Sequence, residues 1–215
     1  VCPGLLNPDS VVYSFGVGRD LSFDLDVIER HGATVHAFDP TPASVAWVAE
    51  HALPSQLIFH PVGIADFDGE QRFHGPRRSG SAHFTPVTRY RRGPAQTIAA
   101  PVKRLSTILH ELGHEQVDLL KLDIEGGEYS VLADILNARV RISQLLVEFH
   151  HAYSTIPLSR TLDTIAAQQR AGFRICAISD RTYEYTFVHE SALAGSTLAG
   201  QGRRQRGLDA TSGVR

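Results

Sequence analysis

Asp123, Glu125, Glu148 and His150 place three carboxylates and one imidazole near the ends of two apolar runs, "VDLLKLDIEGGEYSVL" and "QLLVEFHH". Groups of this type can collect a proton from a reacting hydroxyl. They can also hold a divalent ion that lowers the pKa of that hydroxyl. Leu146, Glu148 and His150 alternate along their run, so they share one face of a strand. His150 falls just past the strand end, at the rim of a cleft. An imidazole near its ordinary pKa is suited to proton transfer there; a structural hydrogen bond is its alternative role. Asp123 closes the other run. Lys121, inside that run, needs a carboxylate partner, and Glu128 and Glu148 are the candidates. Carboxylates with one imidazole suit magnesium or manganese better than zinc. A metal ion is the second reading of these residues and not the expected one; the sequence leaves ligation and plain acid–base use open.

A second chemical signal lies near the start. In "VYSFGVGRDLSFD" an apolar run ends at Gly16 and Gly18. Glycines there let the chain turn sharply and let a ligand approach the backbone. A dinucleotide fingerprint would want a third small residue where Leu21 stands. Asp20 lies where a helix N-terminus would receive a pyrophosphate, and an acidic side chain competes for that end; its own natural role is a helix cap. The loop therefore suits a cofactor without phosphates, such as S-adenosylmethionine. Asp39, in "VHAFDPTP", follows the next apolar run at roughly the 20-residue offset of ribose-binding acids. Its carboxylate can accept both ribose hydroxyls, and an Asx-turn before the prolines is the alternative. Asp66, in "VGIADFDG", is a candidate for the adenine amino group or a plain loop aspartate.

The elements that must position these residues alternate between strand and helix. Strands are expected at 11–15, 34–38, 57–61, 117–122, 144–149, 173–178 and 182–188. Helices are expected at 21–31, 40–52, 105–112, 129–137 and 158–171. Alternation of this kind means a doubly wound α/β sheet, with ligands outside the carboxyl ends of the strands. Residues 66–74 read as a turn and an extended segment. Residues 74–100, rich in Gly, Pro, Ser and Arg, read as a lid or surface insertion. Its arginines, Arg77, Arg78, Arg89, Arg91 and Arg92, read as a solvated basic loop, or as a cover that holds an anionic acceptor. One domain over 1–190 and a disordered tail over 191–215 complete the organisation.

The chain of 215 residues has a formal net charge of −2, with 21 basic and 23 acidic side chains. That balance does not point to a nucleic-acid partner. No apolar run approaches the roughly 20 residues of a membrane span, and nothing reads as a signal peptide. The chain contains no methionine, position 1 included, which leaves room for an upstream segment. Cys2 and Cys176 are too few and too far apart for a disulfide framework or a zinc site. Cys176, in "FRICAIS", reads as a small core residue, and a reducing, cytoplasmic setting is expected.

The two acidic stretches, with "VYSFGVGRDLSFD" and "VHAFDPTP", resemble the FkbM-type family of class I S-adenosylmethionine-dependent methyltransferases. The resemblance runs from about Val11 to about Phe187. It rests on Lys121, Asp123, Glu125, Gly126 and Glu128, then Glu148 and His150. It implies a Rossmann-like sheet of seven strands, mostly parallel with the last strand antiparallel. It also implies O-methylation of a small-molecule hydroxyl, such as a sugar or secondary metabolite. Asp123, Glu148 and His150 become the catalytic candidates. Ser14, Gly16, Gly18, Asp39, Asp66 and Asp123 become the cofactor-binding candidates. Ser14 stands where class I enzymes commonly carry an acid, so the cofactor's amine contact falls to Ser14, Asp20 or Asp123. An NAD-dependent oxidoreductase and a non-catalytic adenosyl-ligand-binding domain are the rival readings.

Overall fold

The computed structural model describes residues 1–75, 84–87 and 96–193. In chain order the elements are β1 (Val11–Phe15), α1 (Ser22–His31), β2 (Thr34–Phe38), α2 (Pro42–Ala49), β3 (Leu57–His60), β4 (Gly63–Ile64) and β5 (Gly69–His74). Then come β6 (Thr97–Lys103), α3 (Leu105–Leu112), β7 (Val117–Leu122), α4 (Glu128–Asn137), β8 (Ile142–Glu148), α5 (Leu158–Arg170), β9 (Phe173–Ile178) and β10 (Glu184–His189). Seven strands form one sheet in the order β3-β2-β1-β7-β8-β10-β9. Every pairing is parallel except those of β10, which runs antiparallel to both β8 and β9. The seven-stranded, mostly parallel α/β sheet is therefore as expected.

Local sequence explains the boundaries. Pro42 opens α2, and the Thr41 side chain accepts the Ser44 N–H as its cap. Gly32 and Gly113 close α1 and α3 in the left-handed conformation. Strands β1 and β7 are buried on both faces, as parallel sheets require. On one face Tyr13, Phe15, Leu120 and Leu122 pack with Leu105 and Ile108 of α3 and Leu132 and Ile135 of α4. On the other, Val12, Val35 and Leu119 meet Val27 of α1. The strand order reverses between β1 and β7, so their carboxyl ends border a crevice.

A second, three-stranded sheet, β4-β6-β5, was not expected. Residues 97–100, read above as part of the insertion, belong to β6, which pairs antiparallel with β5. Of the insertion, only Phe84–Val87 lies among the described residues between Gly75 and Gln96. Thr85 bridges back to His74. The five arginines of the insertion, and the tail from 194, lie outside the described residues.

The cysteines correct the reading above. Cys2 and Cys176 form a disulfide across a sequence separation of 174. Cys176 is not a core residue: only Phe173 of the edge strand β9 is buried. The pairing removes the cysteine-based argument for a reducing setting. Among the described residues, no helix is long and apolar enough to cross a membrane. Reduction should destabilise the fold. Closing so long a loop contributes about 5 kcal/mol in the chain-entropy model. Thermal melts with and without dithiothreitol should differ by on the order of 10 °C; identical melts, with the bond present beforehand, would refute this.

A buried aromatic and histidine cluster sits on the α3 side of the sheet. His36 Nδ1 and His60 Nε2 lie 3.0 Å apart, and Tyr13 Oη is 2.7 Å from His114 Nδ1. His60 stacks on Phe38, which stacks on Phe15. Burial, with smaller contributions from His60 and His114, pushes the His36 imidazole down to about 4, and burial lowers His60 as well. An unfolded chain then binds more protons than the folded one between about pH 6.5 and 4, so stability falls as pH falls through that window. The His36 shift alone corresponds to ~3 kcal/mol. Urea titrations at pH 7.5 and 4.5 should show the loss, and replacement of His36 by Phe should reduce it; an undiminished loss in that variant would count against His36 as its source.

Candidate active site

The loop after β1 is shaped by contact with β7. Gly16 has φ +88°, and a Cβ built there would fall 1.7 Å from the Asp123 carbonyl oxygen. Only glycine fits that approach. Phe15 O accepts the Asp123 N–H, and Phe38 O accepts the Gly16 N–H. The ends of β1, β2 and β7 are thereby locked together. Gly18, also at positive φ, donates its N–H to Asp39 Oδ2 at 2.8 Å. Asp39 Oδ1 accepts from the Thr41 N–H and hydroxyl. The Asx-turn role of Asp39 is therefore real, and the same carboxylate clamps the glycine loop.

A cavity of about 520 Å³ opens over these strand ends. Five of the expected binding residues line it: Gly16, Gly18, Asp39, Asp66 and Asp123. Asp20 lines it too, with Oδ1 accepting the Ser22 N–H at the start of α1. That backbone hydrogen bond holds the Asp20 carboxyl below its usual range. Ser14 is the exception. By strand alternation it faces α1, away from Tyr13 and Phe15, and it is buried outside the cavity lining. It lies by Asp24, whose carboxyl is pushed up by burial against opposing effects of Ser14 and Lys121. The amine-end candidates that do reach the cavity are Asp20 and Asp123.

Sequence reasoning missed the outer wall. Phe73 of β5 and Phe84 and Pro86 of the insertion line the cavity together with Phe38 and Ile64. Thr85 donates its hydroxyl to the Glu125 carbonyl and is itself buried. Val87 and Pro86 press on Gly126 and Gly127. The run Phe84–Val87, apolar apart from Thr85 within a Gly/Arg-rich stretch, was the available signal.

The acidic residues converge around Glu128, which is fully buried. Its carboxylate accepts the N–H groups of Ile124 and Gly126 at 3.0 and 3.1 Å and pairs with His150 Nδ1 at 2.9 Å. Glu125 is held at φ +56° in this loop, a conformation non-glycine residues avoid. The Tyr153 hydroxyl donates to Glu125 Oε2. His150 Nε2 faces Asp123 Oδ1 at 3.8 Å and Glu125 Oε2 at 3.7 Å. One ligand atom each from Asp123, Glu148 and His150 lies within 4.8 Å of the others. Asp123 alone of this trio lines the cavity; Glu148 and His150 stand behind it.

Two expectations change. Lys121 meets neither Glu128 nor Glu148; its Nζ lies 3.8 Å from Asp123 Oδ2 and 5.7 Å from the centroid of the Phe23 ring. The His150 imidazole is not near its ordinary pKa. Burial pushes it down, but the Glu128 hydrogen bond and the charges of Glu128, Glu125 and Asp123 outweigh burial and raise it to about 9. Burial raises the Asp123 and Glu148 carboxyls as well.

The strand order and the crevice at its reversal define a Rossmann-like fold. A solved structure of that kind, the fibrillarin pre-rRNA processing protein of Methanococcus jannaschii, aligns over 88% of this chain and 70% of its own with a TM-score of 0.51 at 14% identity. The Methyltransferase FkbM domain matches residues 12–175, and the chain belongs to that family. The 31-O-demethyl-FK506 methyltransferase FkbM of Streptomyces tacrolimicus is 25% identical over 87% of this chain and 81% of its own length. The probable methyltransferase-like protein 24 of Rattus norvegicus is 29% identical over 65% of this chain; the match spans about a third of that relative, 32% of its length.

Replacing Glu128 with Ala should be severely destabilising. It strands two N–H groups and His150, and loss of one member of such a buried pair costs roughly 3–5 kcal/mol. Urea unfolding of the variant measures this; a midpoint equal to wild type would show that Glu128 does not organise the loop.

Proposed function

We propose that this chain is an S-adenosylmethionine-dependent O-methyltransferase acting on a hydroxyl of a small molecule. One observation carries the reading. Asp123 belongs at once to the cavity and to the Asp123–Glu148–His150 cluster. A cofactor pocket and a polar reaction centre therefore share a wall.

The cavity residues fit an adenosyl cofactor without phosphates. We assign Asp39 to the ribose and Asp66 to the adenine amino group; both line the cavity with Ile64, Phe73 and Phe84. Open space next to the Gly18 backbone leaves room for a ligand. Asp20 holds the start of α1, where a pyrophosphate would otherwise bind. That argues against NAD. When bound, the cofactor supplies a sulfonium methyl group for transfer to oxygen, with release of the hydroxyl proton. Asp123 orients the acceptor hydroxyl, and the carboxylates of Asp123 and Glu148 are the groups that receive that proton. Positioning contributes most of the acceleration. The FkbM relative carries an O-demethyl metabolite in its name, which favours a secondary metabolite as acceptor, with a sugar hydroxyl of the same chemistry.

Calorimetric titration with S-adenosylhomocysteine and, separately, NAD tests the reading. One S-adenosylhomocysteine per chain and no NAD is the expected result. Asp123→Asn should lower kcat for methyl transfer by about 100-fold or more. Tight binding of NAD alone would sink the proposal.

A further inference from the structure

We propose that Asp123, Glu148 and the Nε2 atom of His150 form a binding site for one divalent cation of the manganese or magnesium type. The argument starts from His150, whose side chain is 9% exposed. Its Nδ1 is committed to Glu128 at 2.9 Å. Its Nε2 makes no hydrogen bond among the described residues. The carboxylate oxygens of Asp123 and Glu125 lie at 3.8 and 3.7 Å from it, beyond hydrogen-bond reach. The free ring nitrogen of a largely buried side chain thus faces carboxylates at ion-pair distance, with a hydrogen bond to neither.

That spacing suits an ion. Donors about 2.1 Å from a common octahedral cation lie roughly 3–4 Å from one another. The three donor atoms here lie within 4.8 Å of one another, so side-chain adjustments of about an ångström would close the shell. Glu128 behind His150 is the second requirement. A metal-bound imidazole almost always gives its other N–H to a carboxylate or carbonyl, which sets the tautomer and the ring plane. Glu128 is in that position and, being itself held by Ile124 and Gly126, cannot swing away.

Charge points the same way. Asp123 and Glu148 bring carboxylate oxygens within 4.8 Å of one another, and Lys121 reaches only the far oxygen of Asp123. A cation between Asp123 and Glu148 would relieve their repulsion. Two oxygens and one nitrogen, with no thiolate, select manganese or magnesium over softer ions. The site lies directly behind the Asp123 wall of the cavity. What the ion does rests on the methyltransferase reading: it would hold the acceptor hydroxyl and make it more acidic. That the ion binds does not rest on it.

The test is titration of chelator-treated full-length protein with Mn²⁺, followed by electron paramagnetic resonance of the free ion. S-adenosylhomocysteine is titrated calorimetrically into the same samples. Wild type should bind one Mn²⁺ per chain, displaceable by excess Mg²⁺. Glu148→Gln, which preserves shape, should weaken Mn²⁺ at least tenfold and leave S-adenosylhomocysteine binding unchanged. Glu128→Gln, which touches no ion, should weaken Mn²⁺ by 10- to 100-fold through the His150 ring. No binding below 1 mM Mn²⁺ (an estimated threshold of about that size for a three-ligand site), or binding indifferent to Glu148→Gln, would overturn the proposal. Failure of Mn²⁺ with S-adenosylhomocysteine still bound removes the ion and leaves the methyltransferase reading standing. Failure of S-adenosylhomocysteine with Mn²⁺ still bound does the reverse.

Discussion

The site depends on a carboxylate that never meets solvent. Burying a carboxylate is unfavourable unless hydrogen bonds and an opposite charge replace its water. Glu128 has both: two backbone N–H groups of its own loop and the His150 ring. The compensation is also a positioning device. Removing Glu128 from water requires the 124–126 backbone to curl back on it, which drives Glu125 into a left-handed conformation. It also requires His150, from the end of the next strand, to turn inward. Two adjacent strand ends are thus set by one buried charge.

The other constraint is steric. The β1 loop and the end of β7 approach so closely that a side chain at Gly16 would overlap the Asp123 carbonyl. This contact sits at the reversal of strand order, where the sheet itself supplies the crevice. Asp39 holds the same loop from the β2 side through Gly18. The floor of the cavity is therefore tied down from three strands before any ligand arrives. The roof comes from the smaller sheet and from Phe84–Val87, which rests on the Glu125–Gly127 turn.

Much of this was legible in the sequence. Strands β1, β2, β7 and β9 and helix α3 were read with their observed limits, because apolar runs bounded by glycine or polar residues leave little freedom. β6 was missed because Pro101 and a low-complexity neighbourhood hide its alternation, and β4 because two residues carry no period. The expected cofactor residues gathered in one cavity except Ser14. Strand alternation already put Ser14 opposite Phe15, so that miss came from giving a motif position more weight than the pleat. The roles of Glu128 and Lys121 were not readable. Choosing among several carboxylates for one lysine or one histidine takes loop geometry that spacing does not contain. The disulfide was equally hidden, since it joins segments that only the finished sheet brings together.

That bond has a mechanical consequence. Cys2 lies ahead of the first strand and Cys176 on the outermost one, so nearly the whole sheet lies inside one covalent ring. Tension applied between the chain's ends would bypass the parallel strands and their cavity and run through the sulfur bridge. A single backbone cut anywhere within the ring would likewise leave both pieces joined.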